Sequence, residues 1–496
     1  MFTLACFDLD NTLFDHDTSE TAAYTAVANY IQTHLHIHCT IEDLLASKRE
    51  VKRIGATYER ALYFKAFLKK YKLANWLHHV QTCHTIYWDT FYEHMKLFPG
   101  VQETISLFHT RRIITNFTLV NQLEKLAKLG IIDMFDDIIS SEECFSSKPS
   151  PIIYTQATKG HKMEKCCMIG DREIEDIEGA MCIGMVAICI QPKQHTPLLL
   201  QKGQIRVQDF VTLYEFLRSV KTHLIDFIWL CHRVGERSDL TQHTGGNVSI
   251  KWTHEMYKLI LIKASGCHLA EVNDTCGWSL LYYDVTNKKY EVLFGERPSI
   301  ETCMHTAMNK PIVIHCHPPS ILSCSTLTPF IPYVPPGEEL ASILLPFHNS
   351  PVIYLGNHGI VVSDEEMSDA LVNLDRYCHA TPEQQFCNRI SEKRKGGITL
   401  LSKNHLSNVS NQFFTPDTAV FLCEIFTCLD EARNERFVLV HEGHTYCHAP
   451  TLQSAKAMLE LLDVHIQLSQ SGILPLPREE INRLQNRPDE KFRLAK

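Results

Sequence analysis

Residues 5–15 read ACFDLDNTLFD, a short apolar strand that runs out into two carboxylates, Asp8 and Asp10. At the carboxyl end of a parallel strand, both side chains point into the cleft where open α/β sheets bind ligands. Paired carboxylates can divide the work of phosphoryl transfer: one attacks phosphorus, and the other, with a raised pKa, protonates the leaving group. The plain alternative is a polar turn whose aspartate caps the next helix.

Later strand ends supply the other parts of a phosphoryl-transfer site. Such chemistry needs a divalent cation, together with cationic or hydrogen-bonding groups on the transferring oxygens. The candidates, each beside a predicted strand, are Thr115, Lys148, Asp171 and Asp176. Because these pieces follow one another in order, phosphoryl transfer outweighs the polar turn as an interpretation.

Strand-like and helical segments alternate through residues 1–14 and 97–190, which predicts a parallel sheet flanked by helices. Residues 16–95 interrupt this alternation with helical periodicity, so we expect a helical cap over the edge of the sheet. We place this first domain at residues 1–219.

The first domain resembles the haloacid dehalogenase-like (HAD) hydrolase superfamily, in the stretches FDLDNTLFD (7–15), IITNFT (113–118), SSKPSPIIY (146–154) and MIGDREIEDIEGAMCIGM (168–185). The resemblance implies a Rossmann-like domain in which Asp8 is the nucleophile that forms an aspartyl-phosphate and Asp10 is the general acid/base. Thr115 and Lys148 would bind the phosphoryl group. Mg²⁺ would be held by Asp171, supported by Asp176, in one site with Asp8 and Asp10. Dehalogenating members typically lack an acid at the position of Asp10, which favours a phosphatase whose cap sets substrate choice.

A second unit contains residues 311–320, PIVIHCHPPS, in which a β-branched strand ends in two histidines. His315 and His317 alternate correctly to lie on one face of a strand and to grip one divalent metal ion. A catalytic metal needs a third ligand, and His358 in PVIYLGNHGIVVS (351–363) is the candidate, with the carboxylate of Glu301 upstream. Taken alone, a His-x-His pair is more often packed and hydrogen-bonded than metal-binding.

A glycine-rich turn in the same unit, QHTGGNVSIK (242–251), is a candidate phosphate cradle because its exposed backbone N–H groups suit an anion. The alternative interpretation is an ordinary turn before a strand.

Together these residues resemble the class II aldolase/adducin family over about residues 221–470, in HTGGNVSIK (243–251), IKASGCH (262–268), ERPSIETCMH (296–305), VIHCHPPS (313–320) and LGNHGIVVS (355–363). PYVPPGEELA (332–341) is similar to the longer rhamnulose-phosphate-aldolase-like branch. The resemblance implies Zn²⁺ on His315, His317 and His358, with Glu301 as acid/base. The substrate phosphate would lie near Gly246, Asn247, Ser265, Gly266 and Ser299.

Two departures from the aldolase pattern stand out. Ile300 replaces a second small hydroxyl residue that many members carry before the glutamate, so the grip on phosphate is altered. No residue is assigned as the tyrosine that often protonates the leaving aldehyde; Tyr333 is a weak candidate.

The predicted architecture is therefore a Rossmann-like HAD domain with a helical cap, then a class II aldolase-like α/β or α+β domain at residues 220–470. The charged residues 471–496 are expected to form a loosely held tail. The leading functional hypothesis is a bifunctional sugar-phosphate enzyme, an Mg²⁺-dependent phosphatase joined to a Zn²⁺-dependent aldolase that cleaves a ketose 1-phosphate. In two alternatives, the second domain is a dehydratase like the methylthioribulose-phosphate dehydratases, or a non-catalytic adducin-like scaffold.

Composition limits the partners. The net charge is −9 and no long basic run occurs, which argues against nucleic acid or an anionic membrane as partner. Nineteen scattered cysteines and an N-terminus that begins as a strand, without a basic segment, indicate a cytoplasmic protein with no signal peptide. The longest apolar runs are too short to cross a membrane. The aldolase resemblance implies a homo-oligomer, commonly a tetramer, that acts on small sugar phosphates.

Overall fold

The structure is a computed structural model that describes residues 1–54, 59–71, 73–192, 196–319, 329–378, 389–394, 397–401, 422, 425–426, 437–441, 444–449, 451–470 and 474–486. The chain divides into two compact units, Met1–Ser219 and Val220–Lys496. Both units mix helices with sheets, and the predicted fold class is confirmed. Among the described residues, no helix has the length and apolar character needed to span a bilayer.

The first unit is built on a seven-stranded sheet in the order β3-β2-β1-β4-β5-β7-β6. All neighbours pair in parallel except β6, which runs antiparallel to β7. The strands are β1 (Leu4–Phe7), β2 (Arg111–Thr115), β3 (Asp137–Ser140), β4 (Cys166–Gly170), β5 (Val186–Ile190), β6 (Leu198–Gln201) and β7 (Gln204–Val207). Because β1 lies between β2 and β4, its carboxyl end meets the ends of both neighbours, which is where the predicted site residues follow.

Helices cover this sheet and form the predicted helical insertion. They are α1 (His16–Leu35), α2 (Ile41–Ile54), α3 (Arg60–Leu68), α4 (Trp76–His94), α5 (Val101–Ser106), α6 (Leu119–Lys128), α7 (Ser141–Cys144), α8 (Pro151–Ala157), α9 (Gly179–Cys182) and α10 (Phe210–Gly235), with short 3₁₀ turns at Ile132–Met134 and Met163–Lys165 and a π-helical turn at Glu173–Glu178. The first four constitute the cap, and the buried faces of α1, α3 and α4 meet in an aromatic cluster of Tyr24, Phe64, Tyr87 and Phe91.

The second unit contains an eight-stranded sheet in the order β11-β10-β9-β8-β12-β15-β14-β13. Its strands are β8 (Asn247–His254), β9 (Tyr257–Lys263), β10 (Trp278–Asp284), β11 (Lys289–Gly295), β12 (Ile312–Cys316), β13 (Phe330–Ile331), β14 (Val352–Leu355) and β15 (Gly359–Asp364). The central strand β12 pairs antiparallel with both β8 and β15, and all five of its residues are buried. His315 therefore lies inside the sheet core rather than at an edge.

A second, five-stranded sheet follows in the order β16-β17-β20-β19-β18, from β16 (Arg389–Arg394), β17 (Gly397–Leu401), β18 (Ile425–Phe426), β19 (Phe437–His441) and β20 (His444–Ala449). The helices of the second unit are α11 (Thr302–Ala307), α12 (Glu338–Leu344), α13 (Met367–Cys378), α14 (Leu452–Gln470) and α15 (Arg478–Asn486), with 3₁₀ turns at Leu269–Glu271 and Leu345–Phe347.

Helix α15 differs from the predicted loose tail. Its Ile481 and Leu484 are buried in an apolar cluster with residues of α14 such as Leu462. The two buried residues are three positions apart, so they lie on one face of the helix and dock it. The remaining tail residues, 471–473 and 487–496, lie outside the described residues.

Candidate active sites

The first site begins directly after β1, where the chain leaves the sheet. The N–H of Asp8 donates to the carbonyl of Ile169 on β4 at 2.8 Å, which joins the end of β1 to the strand that leads to Asp171. Asp8 is 8% exposed, so its carboxylate lies at the floor of the cleft rather than on the surface.

Lys148 connects two of the predicted carboxylates. Its Nζ lies 2.6 Å from Oδ1 of Asp8 and 2.6 Å from Oδ1 of Asp176. The side chain of Asn116 fixes the backbone of Lys148 from both sides, donating to its carbonyl at 3.0 Å and accepting from its N–H at 2.7 Å. A buried cation is thus held in place between two buried carboxylates, where it can also bind the oxygens of a phosphoryl group.

Asp8, Asp171 and Asp176 form a carboxylate cluster in which one oxygen from each residue lies within 4.8 Å of those from the other two. Thr12 bridges two of them, donating within 3.1 Å of Asp8 and 3.0 Å of Asp171. Burial, with Asp176 and Asp171 nearby, raises the pKa of Asp8 to about 7 against the opposing effect of Lys148. Hard oxygen ligands that crowd together in this way suit Mg²⁺, so the donor set fits the predicted ion.

The carboxylate of Asp10 lies outside this cluster, unlike the predicted metal ligand. Lys125 Nζ contacts both of its oxygens, at 2.6 and 2.9 Å, and Gln122 donates to it at 3.4 Å. Burial raises the pKa of Asp10, but Lys125, together with His16 and Gln122, leaves the pKa lowered. Gln122 also donates to the hydroxyl of Thr115 at 2.6 Å. Asp10 is therefore held separately from the cluster, and its lowered pKa differs from the raised pKa that the sequence analysis expects of the general acid. Its role as acid/base stays a prediction.

Four residues of this site were not among the predicted ones: Thr12, Asn116, Gln122 and Lys125. Thr12 and Asn116 lie in the motifs FDLDNTLFD and IITNFT, close in sequence to Asp10 and Thr115. Their position in these motifs could have identified them as site residues. Gln122 and Lys125 are three positions apart on α6 and are both buried, at 0% and 1% exposure. Polar residues on a buried helical face have no distinct sequence signature.

In the second unit, the structure brings together the side chains of Glu301, His315, His317 and His358, which are all buried and whose ligand atoms lie within 4.8 Å of one another. The Nε2 atoms of His315 and His317 are 2.9 Å apart, and Nε2 of His358 is 2.9 Å from Oε1 of Glu301. Three imidazole nitrogens that converge in a buried place are the usual protein ligands of a catalytic Zn²⁺, so this donor set fits the predicted ion.

The sheet orients His315. Its Nδ1 lies 2.9 Å from the carbonyl oxygen of Ile360 on the paired strand β15. Since a carbonyl can only accept, Nδ1 carries the proton and the lone pair of a neutral ring lies on Nε2, facing the other histidines. Gly359 allows this close pairing, because a Cβ there would overlap the carbonyl of Cys316.

His358 is positioned by a tight turn between β14 and β15. Leu355 pairs with Gly359 across the turn, and Asn357 adopts a left-handed conformation with φ of 51°. Asparagine tolerates that conformation better than most residues do. Burial lowers the pKa of His358 to about 4, against the opposing effect of Glu301, so the ring is neutral and able to bind a metal.

Glu301 is held as a carboxylate. Burial raises its pKa, but His315 and His358 outweigh burial and leave the pKa well below the usual range. Asn247 donates a short hydrogen bond from Nδ2 to Oε2 of Glu301, and the backbone N–H of Glu301 donates to Ser299 Oγ at 3.2 Å. Two residues predicted near phosphate, Asn247 and Ser299, thus contact the predicted acid/base, and their place beside a substrate phosphate stays a prediction.

The other predicted phosphate residues lie on adjoining turns. The N–H of Ser265 donates to Arg297 O at 2.9 Å, so the segment that carries Ser265 and Gly266 runs beside the one that carries Ser299. Gly266 and Gly246 both have positive φ, and a Cβ on Gly246 would come within 3.0 Å of the carbonyl of His315. The buried Lys263, not predicted, donates to the carbonyls of Thr244 and Cys267 and ties these turns together.

Family models match both units. Residues 5–190 match the haloacid dehalogenase-like hydrolase model, and residues 226–381 match the class II aldolase and adducin N-terminal domain. These matches confirm both resemblances drawn from the motifs.

Among curated proteins, the chain is 30% identical to a ribulose-1,5-bisphosphate 5-phosphatase of Halopiger xanaduensis, over 40% of this chain and 87% of the relative. It is 30% identical to a glyceraldehyde 3-phosphate phosphatase of Methanopyrus kandleri, over 38% of this chain and 84% of the relative. Among solved structures, the N-terminal class II aldolase domain of a conserved protein from Thermoplasma acidophilum is 22% identical, with a TM-score of 0.26, over 29% of this chain and 84% of that one.

Proposed function

Since the chain belongs to the haloacid dehalogenase-like hydrolases in its first unit and to the class II aldolase and adducin family in its second, we propose that it is a bifunctional enzyme of sugar-phosphate chemistry. The first unit would be an Mg²⁺-dependent phosphatase, and the second a Zn²⁺-dependent aldolase that cleaves a ketose 1-phosphate. The curated relatives are named for phosphorylated sugars, which supports small sugar phosphates as the substrate class.

In the phosphatase, Asp8 would attack phosphorus and form an aspartyl-phosphate, while Asp10 protonates the leaving oxygen. Lys148 and Thr115 would bind the phosphoryl oxygens. Asp171, Asp176 and Asp8 would hold Mg²⁺, which would neutralise charge on the transferring group when bound. The observation that carries this proposal is the contrast between the two aspartates: Asp8 contacts Lys148 within the carboxylate cluster, and Asp10 is held apart by Lys125.

The test of the phosphatase is hydrolysis of p-nitrophenyl phosphate by the full chain, with and without Mg²⁺. We expect Mg²⁺-dependent turnover that Asp8→Asn abolishes, while the transition-metal content of the same sample is unchanged. Equal loss of turnover and metal in Asp8→Asn would contradict two separate sites, and absence of turnover in the wild type would contradict the phosphatase.

In the second unit, His315, His317 and His358 would hold Zn²⁺, which when bound would polarise a substrate carbonyl. Glu301 is kept as a carboxylate by the two histidines and Asn247, in the form that can accept a proton. Wild-type protein should then contain about one transition-metal ion per chain, lost in His315→Ala. A metal-free wild type would favour an adducin-like scaffold.

A dehydratase that shares the three-histidine site is the second candidate for this unit. The two activities differ in their products, because an aldolase breaks a C–C bond and a dehydratase removes water only. Incubation with phosphorylated ketoses should yield dihydroxyacetone phosphate and an aldehyde if the aldolase proposal is right. Loss of water without C–C cleavage would establish the dehydratase.

A further inference from the structure

We infer that the helical cap of the first unit binds a second anionic group of the substrate, through Lys48 and Arg60. This inference rests on the proposed phosphatase function, because it concerns the part of the substrate that is not transferred. It narrows the substrate class from sugar phosphates in general to phosphate esters that carry another phosphate or a carboxylate.

The two cations come from different cap helices and meet at one carboxylate. Lys48 Nζ on α2 lies 2.8 and 2.9 Å from the two oxygens of Glu20, and a guanidinium nitrogen of Arg60 lies 3.2 Å from the same carboxylate. Lys48, Arg60 and Glu20 together carry two positive charges and one negative charge, so this group of residues is positively charged overall. The side chains of Lys48 and Arg60 are only 20% and 5% exposed, so solvent screens the excess charge weakly.

A third cation lies in the same place. Lys52, which is an exposed residue, follows Lys48 by one helical turn, and partial burial together with repulsion from Lys48 and Arg60 lowers the pKa of Lys52. Like charges that crowd a partly buried surface destabilise the folded chain, and they are typical of surfaces that receive an anion.

A chain of contacts links these cations to the reacting end of the cleft. The ring of Phe117 lies between two cations, with its centroid 5.6 Å from Cζ of Arg60 and 4.5 Å from Nζ of Lys125. Lys125 in turn contacts Asp10 at 2.6 Å. Because Asp10 protonates the leaving oxygen, the atoms beyond that oxygen lie on the Asp10 side, where Phe117 contacts Arg60.

The hydrogen-bond donors of Arg60 and Lys48 indicate which chemical group of the substrate would bind at the cap. Arg60 uses Nε to bind the hydroxyl of Tyr87 at 3.0 Å, which fixes the guanidinium plane. Lys48 keeps the larger exposed fraction, so its ammonium group is the one that a ligand reaches. An ammonium group that contacts the ligand, with the charge of a buried guanidinium behind it, favours phosphate or carboxylate oxygens over a neutral hydroxyl group.

The test compares substrates that differ only at the far group. One pair is fructose 1,6-bisphosphate with fructose 6-phosphate, and the other is 3-phosphoglycerate with glycerol 3-phosphate. We expect wild-type kcat/KM to favour the member with the second anion in at least one pair, and that pair identifies the group as phosphate or carboxylate. Lys48→Gln should lower this preference about ten-fold, mainly through KM, since one charge-assisted hydrogen bond is lost.

Lys65→Gln is the matched control, because Lys65 lies exposed on α3 in the same cap. It should keep the wild-type preference, and Lys48→Arg should restore most of it. Lys52→Gln gives a second test that does not depend on the Glu20 ion pair. No preference for the second anion in either pair, or a preference that survives both glutamine variants, would overturn the inference. Turnover of p-nitrophenyl phosphate in the same samples keeps this outcome distinct from failure of the phosphatase proposal.

Discussion

The ammonium group of Lys125 lies within 2.9 Å of both carboxylate oxygens of Asp10, and it is almost completely buried. The pair fixes the proposed general acid, which among the described residues is not a member of the carboxylate cluster of Asp8, Asp171 and Asp176. Burial lowers the pKa of Lys125 against the opposing effect of Asp10, so each member of the pair depends on the other for its charge.

Replacing Lys125 should raise the pKa of Asp10 but release its carboxyl group from the position that both contacts fix, without removing the metal site. We expect Lys125→Met to lower kcat for glycerol 3-phosphate, whose alkoxide leaving group needs a proton, at least about ten-fold, in the range of general-acid effects, while the activating Mg²⁺ concentration stays near that of the wild type. Lys128→Met, on the exposed face of the same helix, is the control. Normal kcat in Lys125→Met would show that Asp10 does not need this partner.

Gly170 limits the space around Asp176, since a Cβ on Gly170 would overlap the carboxyl group of Asp176. Gly170→Ala should push that carboxylate away from Lys148 and from the cluster. We expect the Mg²⁺ concentration for half-maximal phosphatase activity to rise about 10- to 100-fold, as for other changes that misplace a ligand. Titration of activity with Mg²⁺ measures this, and an unchanged midpoint would exclude Asp176 from metal binding.

Asn247 supports the buried charge of Glu301. Asn247→Leu removes the side-chain donor to Oε2 and should lower the free energy of unfolding of the second unit by about 1–3 kcal/mol. Urea unfolding, in chelator so that bound metal does not contribute, tests this expectation. Asn309→Leu, at an exposed position of the same unit, should change stability little by comparison. Equal stability of the two variants would mean that Glu301 does not depend on Asn247.

Lys251 makes the stability of the second unit depend on pH. Its Nζ donates to the carbonyl of His305 at 3.0 Å and to that of Met308, and burial lowers the pKa of Lys251 from 10.5 to about 7. Between pH 7 and 10.5 the unfolded chain binds a proton that the folded chain does not, so stability should rise with pH. The gain in stability is complete above pH 10.5. It decreases as pH falls from 10.5 towards 7 and is absent below 7.

Thermal unfolding of wild type and Lys251→Met from pH 6.5 to 10 measures the effect. The unfolding temperature of the wild type should increase relative to that of Lys251→Met as pH rises. Lys258→Met, on the neighbouring strand β9, should show the same dependence of unfolding temperature on pH as the wild type. Parallel curves for wild type and Lys251→Met would show that Lys251 titrates at its ordinary pKa.

Candidate site residues at the ends of strands could be predicted from the sequence. The residues that form hydrogen bonds or ion pairs with them could not. Asp8 and Asp171 directly follow parallel strands, and His315 is the next-to-last residue of a β-branched one, so their positions indicate where they meet. Lys125 lies on a helix whose other charged residues face solvent, and amphipathic periodicity does not distinguish a buried lysine from an exposed one. Only tertiary packing places it against Asp10.

The sequence motifs likewise did not predict contacts between segments that are distant in the chain. The resemblance implies a place near phosphate for Asn247, and it gives no sign that the amide hydrogen-bonds to Glu301, which is 54 positions away. The tail was misjudged for a different reason: charged residues dominate its sequence, and the short apolar stripe of Ile481 and Leu484 docks α15 all the same.

The hydrogen bond from the His315 ring to the backbone of β15 has a consequence for metal capture. Because sheet pairing selects the tautomer, the nitrogen that faces the cluster needs no ring flip and no proton exchange before it accepts an ion. The rate of metal uptake at His315 should depend on dehydration of the incoming cation and on its route through the buried surroundings. The imidazole nitrogen that binds the ion is already in the required tautomer once the chain has folded.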